Sequence, residues 1–510
     1  MLKTAMVFGS NMVLQRQKEI RVWGTGVTGK AVKGLFKGEI QSEAISEVDK
    51  AGNWMLTFSP REAERGLELI LMDDVTTITY QNISIGEVWI AGGQSNMEYF
   101  LEFDADKADV FQGTMNPDIR FFDYPEVSYE GQLEEHDYSR FGFWRTCTPE
   151  DLPYFSAPAY YFAEDLSKEL QIPVGVIGCN WGGTPACAWM EPGYLKDNEG
   201  RIWLEEYERE IRSLNIEEYK VSYKANPAHD RSNPLADEMN ARIMLPGLLR
   251  EEQWDYINSM MASPEKAKLI LPEMGPCFER RPGGLYEVML KKIAPYTVRG
   301  VIWYQGESDA DHASIYATVF GAMIQCWREL WREELPFLFV QLAPFGEWMG
   351  IDGRNYPTLR DQQEQVSKVV SNAWMISSSD VGMEWDIHPK QKKPIGNRLA
   401  LLARGHIYGQ NLLCDPPELK TARRVGEGIC IEFNNAEGLC TKGDHVNAFR
   451  ITNAQEEIII PCKISVTERG LLLQGHFPPN TVISFAKTPF YEVNLYNKSG
   501  NPAKPFQVII

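Results

Sequence analysis

The chain opens with short apolar runs that partly alternate with polar residues. They read NMVLQRQKEIRVWGTG, AVKGLFKGEIQSEAIS, GNWMLTFSP and LELILMDDVTTITYQNISI, with Gly and charged turns between them. A period of two over short runs predicts antiparallel strands with one buried face, here a small sandwich-like β domain over residues 1–84. From residue 85 the runs become nearly continuous: IGEVWIAGG, IPVGVIGCNWGG, VRGVIWYQGES, PFLFVQLAPF and NAWMISSSD. Strands buried on both faces of a parallel sheet have this pattern. Helical segments such as APAYYFAEDLSKELQ, YATVFGAMIQCWREL and PIGNRLALLARGHIYG lie between them. The alternation predicts a doubly wound α/β domain over residues 85–410. Residues 196–275 break the rhythm with a charged, helix-forming stretch and read as an insertion. Short strands return over 411–510 and predict a closing β domain.

Composition narrows the class. At roughly 150 residues per domain, 510 residues suit about three domains. With 44% apolar and 24% charged residues the chain is an ordinary globular one. No run approaches the ~20 apolar residues of a membrane span. A formal charge of -19 opposes binding to phosphate backbones and anionic membranes, so neither nucleic acid nor a membrane is an expected partner. The nine cysteines contain no CxxC pair and read as buried free thiols. A zinc site would need clustered Cys and His, which the sequence does not show, so no metal is expected. The first residues, MLKTAMVFGSNMVLQRQ, lack the apolar core of about 7–15 residues that a secretory signal carries. On that reading the protein is cytoplasmic, or periplasmic or secreted if a leader has been removed.

In an open parallel sheet, ligands bind beyond the carboxyl ends of the strands. Four strand ends here carry chemistry. Gly92-Gly93-Gln94-Ser95-Asn96 follows the first, Asn180-Trp181-Gly182-Gly183 the second, Gln305-Gly306-Glu307 the third, and Asp380 with Asp386-Ile387-His388-Pro389 the fourth. Ser95 is the candidate nucleophile, exposed by a glycine turn and needing a base to take its proton. It lacks the G-x-S-x-G elbow, because Met97 stands where the second glycine would be. The competing expectation is a helix cap at Ser95 or Asn96. His388 is the candidate base. Among the seven histidines it alone follows a buried-strand pattern beside an acid, the competing expectation being a surface-loop histidine. Backbone N–H groups at Gly182 and Gly183 and the Gln305 amide are candidate oxyanion donors, each worth ~3 kcal/mol of barrier in such sites. For the glycine pair a plain tight turn is the alternative. Trp181, Trp189, Trp303 and Trp385 lie near these motifs as sugar platforms or as core.

In order, GQSNM, CNWGGT, WYQGESD and DIHP resemble the sialate O-acetylesterase family of the SGNH hydrolases. The segments NMVLQRQKEIRVWGTG, GGLYEVMLKKIAPYTVRGVIWYQGESD, DIHPKQKKPIGNRLALLA and VNLYNKSGNPAKPF extend the resemblance along most of the chain. It implies a flavodoxin-like three-layer α/β/α sandwich with a parallel sheet, flanked by β domains at both ends. It further implies Ser95 as nucleophile and oxyanion donor, His388 as base, the glycine block at Gly182 or Gly183, and Gln305 where many SGNH enzymes place an asparagine. Many of those enzymes put the orienting aspartate three residues before the histidine. That position is Trp385 here. Asp386, two before, is the expected acid, with Asp380 and Glu307 as rivals and a Ser-His dyad as the remaining option.

The implied activity is removal of O-acetyl groups from carbohydrates through an acetyl-serine, without cofactor, with O-acetylated sialic acid the first substrate and acetylxylan or another hemicellulose the alternative. Glu307 and Arg360 are the expected substrate-binding residues, Arg360 for an anionic sugar. A glycan-binding protein on a degenerate scaffold, and a peptidase or lipase, are the other readings. Activity is expected to rise as His388 loses its proton, with an apparent pKa near ~6–7.

Overall fold

The computed structural model describes residues 1–226, 231, 233, 235, 238–245, 250–264, 266 and 273–510. Part of the expected insertion 196–275 and His229 lie outside the described residues. The chain forms two compact units, Met1–Trp303 with Thr318–Phe337, and Tyr304–Ala317 with Leu338–Ile510. Parallel strands with intervening helices make it an α/β protein.

The first unit begins with antiparallel β-structure. Ile20–Thr25 pairs with Asn53–Phe58, and Ala31–Lys37 lies between Ser42–Glu47 and Glu64–Met72. Burial alternates along these strands, so Val22, Phe36, Leu56 and Phe58 share the interior. Gly34 lets two strands meet closely: a Cβ there would stand 2.6 Å from Leu56 and 2.7 Å from Phe58.

One strand, Thr77–Gly93, runs through both parts of this unit. Its first half pairs antiparallel with Glu64–Met72, and its second half pairs parallel with Val174–Asn180. Residue 84, the expected end of the first β region, therefore lies inside a continuous strand. The change of partner accounts for the change of pattern in the sequence. Exposed and half-buried residues alternate before Asn82, and every residue from Ile83 to Gly93 is buried. The sheet continues in the order Trp144–Thr146, Ile119–Asp123, Val174–Asn180, Thr77–Gly93, Gly300–Tyr304 (all but its last residue). Helix Ala157–Leu170 covers it, capped by Ser156 Oγ accepting the Ala159 N–H and packed through Phe162 edge-on against Trp89. Helices Arg201–Ile211, Ile216–Ala225, Glu238–Ile243 and Arg250–Met261 follow within the expected insertion.

In the second unit, Phe337–Val340 (all but its first residue) and Ala373–Ile376 are strands in the interior, with helices Tyr356–Val369 and Lys393–Leu402. Its last hundred residues form a four-stranded antiparallel sheet and a three-stranded one around Ile429, Ile431, Leu471, Ile483 and Phe485. Among the described residues no helix is long and apolar enough to cross a membrane.

A fully buried carboxylate ties the long strand to the rest of the first unit. Glu87 receives Arg16 Nε at 2.6 Å, Arg299 Nε at 2.7 Å and Gln15 Nε2 at 3.0 Å. Burial alone would raise its pKa, but the two arginines outweigh that and hold it below the ordinary carboxylate value. Removing one partner of such a pair strands the other charges. Glu87→Ala should lower the unfolding free energy by about 3 kcal/mol, read as a urea midpoint shift at constant slope. A midpoint within error of the parent would show that the pair contributes nothing net.

Candidate active site

The long strand delivers Ser95. At its end a Cβ on Gly92 would stand 2.8 Å from the Trp303 ring, and Gly93 has φ 137°, so the strand must break into the next turn through glycine. The four-residue helix Ser95–Glu98 follows. Its N-cap position is Gln94, whose side chain makes no capping bond, so Ser95 is not the cap that competed with the nucleophile reading. From Ala91 to Phe100, Ser95 is the one residue that is not buried.

The parallel neighbour Val174–Asn180 brings the glycine pair beside it. Asn180 Nδ2 donates to Ala91 O at 3.0 Å, and Trp181 N–H donates to Gly93 O at 3.1 Å. The point where Gly182 lacks a Cβ lies 3.3 Å from Ser95 Cβ and 3.0 Å from Glu98 Oε2. Gly182 thus stands against the serine, but its N–H donates to Glu98 Oε2 at 2.7 Å. The expected oxyanion donor already has an acceptor. Gly183 is exposed, at φ 76°.

Glu98 belongs to an acidic cluster that no motif in the sequence marked. Arg231 contacts it at 3.4 Å and Glu126 at 2.7 Å. Burial and then the neighbouring Glu126 push the Glu98 carboxyl up to about 8, against the pull of Arg231. Burial also raises Glu126, Asp123 and Glu279. The available signal was the i,i+3 spacing of Ser95 and Glu98, which places both on one face of a helical turn.

The second unit holds the histidine. Asp386 Oδ1 accepts the His388 backbone N–H at 2.8 Å and lies 3.3 Å from Nδ1 of the same residue. Lys390 Nζ stands 2.9 Å from Oδ2. The Trp348 ring meets the imidazole edge-on at 5.1 Å. All three ionisable side chains are buried. Burial would raise Asp386, but His388 and Lys390 outweigh it and bring the carboxyl to about 2. Burial dominates at His388 and lowers its pKa despite Asp386, with Lys390 and Lys392 adding to the fall. The imidazole therefore stays neutral to lower pH than an ordinary histidine does.

Other expected residues fall differently. Asp380 is clamped by Arg398 through two bonds of 2.8 and 2.7 Å, which engages the rival acid elsewhere. Arg360 points into the core and not toward a surface where a sugar could meet it. It is fully buried, donating to the carbonyls of Thr488, Ala343 and Pro489 with Tyr491 against its guanidinium, because its helix turns it inward. Gln305 is also fully buried. Its amide nitrogen donates to Asp309 at 2.5 Å, and its amide oxygen accepts from Tyr316 at 2.9 Å, so the side chain braces its own loop. Glu307 is buried at the start of the helical segment Glu307–Ile315. Trp181, Trp189 and Trp303 are core residues, whereas Trp385 is 42% exposed.

The sequence showed no Cys/His cluster, but the fold gathers His406, Cys414 and Asp415. His406 Nε2 lies 3.0 Å from Asp415 Oδ1, and its ring stacks on Trp374 at 4.7 Å. Burial opposes its charge, yet Asp415 and Cys414 push the imidazole up to about 9. The nitrogen facing Asp415 carries a proton, and these two residues form an ion pair.

Residues 276–403 match the family model described as carbohydrate esterase, sialic acid-specific acetylesterase. With the relatives that follow, that match makes the chain a carboxylic ester hydrolase. Its particular resemblance is to the sialate O-acetylesterases. It is 24% identical over 438 residues to that of Mus musculus, covering 79% of this chain and 73% of that one. It is 25% identical over 447 residues to that of Homo sapiens, covering 81% and 72%. In structure it is similar to a carbohydrate acetylesterase from Xanthomonas citri, with a TM-score of 0.74, 25% identity and 99% of each chain covered.

A general base must be neutral to accept a proton, and burial lowers the pKa of His388. The acid limb of kcat/KM should therefore fall below pH 6.5, and a limb above 6.5 would contradict the burial. Asp386→Asn should lower kcat by at least about 100-fold with little change in KM, measured by steady-state ester hydrolysis. A loss under about threefold would leave His388 without need of that acid.

Proposed function

We propose that this protein is a carbohydrate O-acetylesterase of the SGNH kind, acting through an acetyl-serine, with O-acetylated sialic acid as its first substrate. The catalytic part is the three-layer sandwich over residues 85–410, with β domains at 1–84 and 411–510. The observation that carries the reading is the buried, neutral His388 with Asp386 3.3 Å from its Nδ1. A half-buried serine on a glycine turn in the first unit supports it.

In this reading His388 Nε2 takes the Ser95 Oγ proton as Oγ attacks the acetyl carbonyl carbon. The carbonyl π pair moves onto oxygen. The Ser95 N–H and the Gly182 or Gly183 N–H receive that oxyanion. Collapse expels the sugar oxygen, which takes the proton from His388. Water, deprotonated by the same imidazole, then releases acetate and restores Ser95. Asp386 keeps Nδ1 protonated, so that Nε2 is the basic nitrogen.

One observation favours a neutral glycan such as acetylxylan as the second reading. Arg360, the cation expected to meet a sialate carboxylate, is buried on backbone carbonyls. The Trp385 indole, directly before Asp386 in the chain, is exposed and would suit any pyranose face.

Acetate release from 9-O-acetylated sialic acid and from acetylated xylo-oligosaccharide, beside a Ser95→Ala control, tests the proposal. Release from at least one substrate, lowered at least about 1000-fold in the control, is expected. Undiminished release by the control would remove Ser95 from the chemistry. Trp385→Ala should raise KM for the glycan by about tenfold and leave 4-nitrophenyl acetate hydrolysis within about twofold. Equal effects on both esters would mean that the indole does not hold sugar.

A further inference from the structure

The Glu98 carboxyl occupies the donor that acyl transfer needs. Its Oε2 accepts the Gly182 N–H at 2.7 Å, and the empty Cβ position of Gly182 touches both Glu98 Oε2 and Ser95 Cβ. An oxyanion formed on a Ser95 adduct would compete with this carboxyl for the same N–H. We propose that Glu98 gates the oxyanion donor: its neutral carboxyl yields the Gly182 N–H to the oxyanion, and its ionised carboxylate withholds it. The inference rests on Ser95 being the nucleophile.

Charge counting supports the gate. The groups facing Glu98 are Glu126 and Arg231, with Asp123 beyond them against Arg145, and Glu279 facing Glu126. Among the described residues, Arg231 is the cation in contact with both Glu98 and Glu126. Two buried carboxyls sharing one guanidinium retain a proton, and the pair titrates as a unit. A hydrogen bond to an ionised acceptor is roughly twice as strong as one to a neutral acceptor. Loss of the shared proton therefore tightens the hold on Gly182 and sets a negative charge beside the place where the oxyanion must form. Glu98 is a positioning residue in this account, acting through Gly182. The Glu98 carboxyl is pushed up to about 8, which puts its ionisation within the working range of an ester assay.

The test is the pH dependence of kcat/KM for 4-nitrophenyl acetate from about pH 5 to about 9.5, corrected for spontaneous hydrolysis, in the parent, Glu98→Gln and Ser95→Ala. The parent should fall above about pH 8, to about thirtyfold below its plateau at about pH 9.5. Glu98→Gln keeps an acceptor for the Gly182 N–H but cannot ionise, so its profile should stay level from about pH 8 to about 9.5. A level parent profile, or the same alkaline fall in Glu98→Gln, would overturn the gate. If Glu98→Gln does not fold, Glu126→Gln serves instead. Removing the like charge should move the alkaline limb down by about one pH unit, and an unmoved limb would overturn the gate. Full activity in Ser95→Ala would instead defeat the nucleophile reading, whatever the profiles show.

Discussion

The burial of the second half of the strand Thr77–Gly93 is the constraint on which the site depends. Eleven successive residues without solvent leave the chain no lateral freedom, and Glu87 fixes the register through Arg16, Arg299 and Gln15. The strand ends where Trp303 presses on Gly92 and where Gly93 takes a φ that side chains disfavour. Ser95 emerges at that break, half-buried among fully buried neighbours. The parallel partner Val174–Asn180, in fixed register with the same strand, sets Gly182 against it.

Loss of water then has opposite results in the two units. Around His388, an acid, a base and a lysine are buried together, so the carboxylate stays charged and the imidazole stays neutral. Around Glu98, carboxyls outnumber the guanidinium they share, and the proton stays on an acid. The same desolvation thus keeps an imidazole neutral in one place and a carboxyl uncharged in the other.

What the sequence made legible was local. Continuous apolar runs marked the buried strands, and glycine, hydroxyl and amide residues after them marked the strand ends. The spacing of Asp386 and His388 was short enough to be read from the chain and put Asp386 ahead of Asp380. It did not show Arg398, which holds Asp380 from a helix further on. Arg360 in TLRDQQEQ stood out only as a cation that an anionic sugar would need. Its partners Thr488 and Pro489 come from more than a hundred residues away. Glu98 and Arg231 are likewise far apart in the chain, as are Gly92 and the Trp303 ring that crowds it. The fold makes these pairings, and no local pattern announces them.

The central claim is that Ser95 carries the acyl group. Labelling the folded protein with a fluorophosphonate ester and mapping the adduct by peptide mass spectrometry tests it most directly. The account predicts a single stoichiometric adduct on the peptide containing Ser95, with ester hydrolysis lost in proportion to labelling. An adduct on another serine that abolishes activity, or full labelling of Ser95 with activity retained, would contradict it.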